Sequence, residues 1–77
     1  MDYDPYKRLA AAIVENAVVD YKKALRRVRK HPDNEFALSE KAELERFFRS
    51  SWCGMLTDID GEVIIAKIQQ MEGMVAV

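Results

Sequence analysis

Apolar and polar positions in this chain recur with helical rather than strand spacing. Tyr6, Leu9, Ala10, Ile13, Val14, Ala17, Val18, Tyr21, Ala24, Leu25 and Val28 return every three or four residues and share one side of a helical wheel. Arg8, Glu15, Lys22, Lys23, Arg26, Arg29 and Lys30 take the other side. Asp4 can cap such a helix, and Pro5 suits its first position, where a missing N–H costs nothing. Pro32 disfavours helical backbone at His31. The pattern predicts one amphipathic helix over about 5–30.

Three shorter elements follow. His31-Pro32-Asp33-Asn34 reads as a turn, with Asp33 or Asn34 capping a second helix over about 34–51. Ala37, Leu44, Phe47 and Phe48 form its apolar side, and Glu45 is spaced to pair with Arg49. So short a turn implies antiparallel packing of the first two helices. Residues 52–57 read as a short helical turn with Trp52, Met55 and Leu56 pointing inward. Asp58 or Asp60 caps a third helix over about 60–71, striped by Ile64, Ile65, Ile68 and Met71. Val63-Ile64-Ile65 is β-branched, but no partner strand is evident, so helix is the better assignment. Gly73 stops it, and residues 73–77 read as a frayed tail. The expected fold is one all-α domain: a long N-terminal helix antiparallel to a second, then a turn and a C-terminal helix, in a helical-bundle dimer.

Length makes the dimer part of the expectation. In 77 residues the core is small and its stability thin. With one cysteine and one histidine, neither a disulfide nor the usual four-ligand zinc site is available to reinforce it. A 26-residue helix is roughly 40 Å long, more than a subunit of this size covers. The stripe Leu9, Ile13, Val14, Ala17, Val18 and Tyr21 is therefore the expected oligomer interface. The lone cysteine fits a reducing compartment, and no leader or membrane-length apolar run is recognisable, so a cytoplasmic protein is expected.

Charge sharpens the choice of partner. Six Lys or Arg and no acid lie between Tyr21 and His31, while residues 32–77 carry nine acids against four bases. Lys22, Arg26, Arg29 and Lys30 make a basic face that can contact phosphates. The whole chain is nonetheless at −1, and cations at a helix C-terminus also serve the helix dipole. Nucleic acid or a sequestered nucleotide is thus the alternative reading, behind an acidic protein partner. A helix-turn-helix centred on Gly61 fails, because Thr57 and Lys67 fall where packing residues are needed.

The catalytic and metal readings are weaker. Asp58-Ile59-Asp60-Gly61 resembles the middle of a calcium loop, but Leu56 and Lys67 then occupy the end positions that need carboxylates. Capping of the last helix explains the same residues. No base and orienting group can be nominated for Cys53 or a serine, and three scattered glycines make no phosphate loop. No enzyme, metal or cofactor is expected. Phe48, Trp52 and Met55 are the candidate partner-binding residues, since Trp and Phe dominate protein anchors when exposed.

The runs Glu45-Arg46-Phe47-Phe48-Arg49-Ser50-Ser51-Trp52 and Leu56-Thr57-Asp58-Ile59-Asp60-Gly61-Glu62, with Tyr21-Lys22-Lys23-Ala24-Leu25 and Pro32-Asp33 before them, carry a likeness. Over roughly residues 17–68 the chain resembles short uncharacterised helical proteins of phages, prophages and mobile elements of Gram-positive gut bacteria. The resemblance implies an accessory protein that works by stoichiometric binding, for example by blocking a host or defence protein. It assigns no activity and transfers no site residues.

Overall fold

Each helix begins on a side chain that accepts from its own first turn. The computed structural model describes residues 4–73, which form α1 (Pro5–Lys30), α2 (Glu35–Arg49), α3 (Ser51–Leu56) and α4 (Gly61–Met71). Asp4 caps α1 through Tyr6 and Lys7, Asn34 caps α2 through Ala37, Ser50 caps α3 through Cys53, and Asp60 caps α4 through Glu62. Val63-Ile64-Ile65 is helical, and the described residues contain no strand. The second helix ends two residues before the expected Ser51, because Ser50 is extended and the chain restarts there as α3. Of the tail expected at 73–77, Gly73 closes α4 and residues 74–77 lie outside the described residues.

Side-chain pairs give the helix directions. Tyr21 meets Glu45 and Arg27 meets Glu40, so α2 runs antiparallel to α1. Tyr21 meets Gln69 and Arg26 meets Glu72, so α4 runs parallel to α1. α3 follows the end of α2 and packs against α1 and α2.

The core is built from Ala17, Tyr21 and Leu25 of α1, Phe48, Cys53, and Ile64, Ile65 and Ile68 of α4, with Val18, Leu44 and Phe47 packed against it. It sits beside the second half of α1. Phe48 is its centre, edge-to-face with Tyr21 at 5.7 Å and with Phe47 at 5.5 Å between ring centroids. The N-terminal half of α1 runs beyond this core, leaving Tyr6 and Leu9 each 61% exposed. The radius of gyration is 13.6 Å and the longest extent 46 Å, against about 11.5 Å for a compact chain of this length.

The far end of α4 is tied back to α1. Gly73 adopts φ 70°, the left-handed backbone that closes a helix C-terminus. Arg29 donates to the Glu72 carbonyl at 2.7 Å, satisfying an acceptor that the helix itself leaves open. Arg26 holds the Glu72 carboxylate through two nitrogens at 2.7 and 3.2 Å.

Candidate functional site

The turn from α2 to α4 is assembled by one serine and one glycine. Ser50 closes α2 by donating its hydroxyl to the Phe47 carbonyl at 2.6 Å and opens α3 by accepting from the Cys53 N–H at 3.2 Å. Gly61 lies so close to the end of α2 that a Cβ there would overlap the Phe48 carbonyl oxygen and sit 2.6 Å from its carbonyl carbon. Arg49 and Glu62 pair across the join. Thr57 accepts from the Ile59 N–H at 3.3 Å and Asp60 from the Glu62 N–H at 2.9 Å, so both engage the loop's own backbone.

This geometry reverses part of the expected side-chain placement. On the six residues of α3 it is Cys53 that points inward, at 1% exposure, while Trp52 and Met55 point out at 51% and 69%. Trp52 and Met55 are three residues apart and share a helix face, and the core claims the other face. Leu56 is half-buried. Phe48, expected beside them at a partner contact, is 2% exposed and belongs to the core. The exposed corner is therefore Trp52 and Met55, continued by Ile59 at 57% exposure.

The expected oligomer stripe divides likewise. Tyr21 is fully buried and Ala17 nearly so, both inside their own subunit. Val18 packs against the same core. Leu9 is exposed, and Ile13 and Val14 are half-buried. Only the N-terminal part of the stripe faces outward.

Between that part of α1 and the end of α3 runs a groove of about 590 Å³. Its apolar walls are Tyr6, Ala10 and Val14 on one side and Met55 and Leu56 on the other, with Asp4, Lys7, Glu15 and Asp58 along its rim. Sequence reasoning missed this groove, since nothing local pairs Tyr6 with Met55. A shallower hollow of about 560 Å³ lies under the acidic loop, lined by Arg49, Asp58, Asp60 and Glu62 among others.

Half of the basic residues at the end of α1 are engaged. Arg26 and Arg29 hold Glu72, and Arg27 holds Glu40 at 3.2 Å. The Arg26 hydrogen bond keeps the Glu72 carboxyl below its ordinary range, with Arg29 and Lys22 adding to the pull against modest desolvation. Lys22, Lys23 and Lys30 make no ion pair among the described residues.

A second polar cluster was not legible in the sequence. The Tyr21 hydroxyl donates to Glu45 Oε2 at 2.6 Å and accepts from Gln69 Nε2 at 3.1 Å, and Lys41 Nζ reaches the same Glu45 oxygen at 2.8 Å. Glu45 thus pairs with Lys41 rather than the expected Arg49. Burial, then the bond to Glu45, pushes the Tyr21 hydroxyl well above its ordinary value, so it remains a donor. Burial raises the Glu45 carboxyl, but Lys41 and Tyr21 together outweigh it and hold the group below its ordinary value. The cluster joins α1, α2 and α4 and is satisfied internally, as a structural network is.

Little here offers chemistry. Burial pushes the Cys53 thiol up, away from the thiolate a nucleophile needs. Among the described residues no three of His, Cys, Asp or Glu are placed to hold a metal ion, and no helix is long and apolar enough to cross a membrane. What fold and surface define is a small all-helical domain with an exposed apolar corner and a groove beside it. No family model, curated protein or solved structure matches the chain.

Proposed function

We propose that this is a non-enzymatic accessory protein of phage or mobile-element type, acting in the cytoplasm as an oligomeric protein-binding module that inhibits a host or defence protein. The supporting observation is the outward placement of Trp52 and Met55 on α3. A tryptophan and a methionine half or more exposed, three residues apart and followed by Ile59, form an apolar surface of the kind that anchors protein partners. Carboxylates engage Arg26 and Arg27, and the Glu72 carbonyl engages Arg29, which favours a protein partner over nucleic acid, because phosphates would have to compete with Glu72 and Glu40 for half of the basic residues.

The test compares wild type with a Trp52→Ser/Met55→Ser double variant as bait in host lysate, with bound proteins identified by mass spectrometry. Both residues are largely solvent-facing, so the variant keeps its helical signal. The expected result is a single protein retained in stoichiometric amount by wild type and lost from the variant. Equal capture by both, or capture by neither, overturns the proposal.

A further inference from the structure

We propose that the groove between α1 and α3 receives the N-terminal half of α1 from a second copy, running antiparallel about a twofold axis near Ala11. This deepens the associative reading above and rests on it; Met55 belongs to both surfaces, whereas Trp52 lies outside the groove.

Shape and charge carry the inference. Tyr6 and Met55 face the groove at 61% and 69% exposure, so the outer part of its apolar walls is unpartnered within the subunit, while Ala10 at its floor is buried and Val14 and Leu56 are half-buried. Ala11 lines its middle and is exposed, and a small residue there lets a second helix approach to the roughly 8 Å minimum of packed helix axes. Lys7 and Glu15 line the same groove, are exposed, and make no ion pair among the described residues.

Lys7 and Glu15 stand four residues to either side of Ala11. Each lies about 6 Å along the axis from that residue and on its face. A parallel copy in register would set lysine on lysine and glutamate on glutamate. An antiparallel copy centred on Ala11 sets Lys7 against the partner copy's glutamate and Glu15 against its lysine, twice over by symmetry. An unrelated helix has no reason to carry that spacing, whereas a second copy carries it by construction. A contact confined to half of one helix and the groove beside it is expected to be a weak, concentration-dependent dimer.

Charge exchange tests the register. The full chain is followed by sedimentation equilibrium from about 10 µM to 1 mM, a range that spans weak self-association. Wild type is expected to pass from monomer to dimer. Lys7→Glu and Glu15→Lys are each expected to weaken the dimer about tenfold, since each places like charges together at two symmetric points. An equimolar mixture of the two variants restores both pairs in a heterodimer and is expected to return to near wild-type affinity. Matching thermal melts at low concentration show that both variants fold. A wild type that stays monomeric throughout, a dimer indifferent to both substitutions, or a mixture no tighter than either variant overturns the inference. A monomer that still captures its protein through Trp52 would sink the self-docking alone. A dimer that captures nothing would sink the functional reading alone.

Discussion

Replacing two of the three glycines by alanine should move stability in opposite directions. Gly54 lies inside α3 and is exposed, and a Cβ added to it meets nothing within 4 Å. Alanine there lowers the backbone entropy of the unfolded chain without a steric cost, which stabilises by about 0.5–1 kcal/mol. Gly61 gains the same entropic term but meets the Phe48 carbonyl group and the Arg49 amide. Those atoms are backbone, so no side chain can swing aside. α4 must back away from α2, which loosens Ile64 and Ile65 and strains the Arg49–Glu62 pair. Overpacking of a closed interface costs about 1–3 kcal/mol, and rigid backbone on both sides places this case in the upper half. After the entropic gain the net loss is about 1–2.5 kcal/mol.

Urea denaturation followed by circular dichroism reads both changes. Near this chain length each kcal/mol is worth about 4–8 °C in Tm. Gly54→Ala should therefore melt a few degrees above wild type, and Gly61→Ala about 4–20 °C below it. Unfolding slopes should stay equal, since neither change alters the area exposed on unfolding. A Gly61→Ala protein as stable as wild type would refute the close approach of α4 to the end of α2. A destabilised Gly54→Ala would refute the open surface of α3.

Three further outcomes follow from the buried groups. Tyr21→Phe leaves Glu45 with Lys41 alone and orphans the Gln69 donor, so urea titration should show a loss of about 1.5–2 kcal/mol, within the range for hydrogen bonds to charged groups. Glu45 is held below its ordinary value in the folded state; its contribution is therefore full above the unfolded value of about 4.3 and is lost as pH falls through the lower folded value. Acid titration of stability should accordingly be shallower below about pH 4.5 in Glu45→Gln than in wild type, and identical limbs would contradict the assignment. Cys53 is 1% exposed with its thiol pushed up, so alkylation of the native protein should be about a hundredfold slower than in urea, and equal rates would contradict its burial.

The helices could be read from the sequence because their signals are local. Asp4-Pro5 at one end of α1 and Pro32 beyond the other bracket twenty-six uninterrupted residues, and Asn34 and Asp60 are ordinary caps. The orientation of α3 could not be read that way. In six residues no periodicity separates an inward from an outward face, and the larger Trp52 and Met55 looked like core while the smaller Cys53 took the inward position. The partners of Glu45 and Arg49 were hidden for a related reason. Glu45 does take an i,i+4 neighbour, Lys41, in place of Arg49, but Tyr21 and Glu62 reach the two residues from other helices. A tyrosine within an apolar stripe gives no sign that its hydroxyl will meet a carboxylate.

The placement of the core explains why association is the natural expectation for this molecule. Tyr21, Leu25, Phe48 and the three isoleucines of α4 all gather beside the second half of α1, where Arg26 and Arg29 also fasten the end of α4. Residues 5–16 have only Ala10 buried and carry Tyr6 and Leu9 in the open. A helix this long gains little from its own propensity, because tertiary packing of an apolar face is what usually holds one in place. The first three turns of α1 therefore lack the support that the last four have, and whatever covers Tyr6 and Leu9 adds to stability by mass action. Binding and folding of that segment are linked: melting temperature should rise with protein concentration if the cover is a second copy, and with partner concentration if it is another protein. A melting temperature indifferent to both would mean that α1 holds itself straight without help.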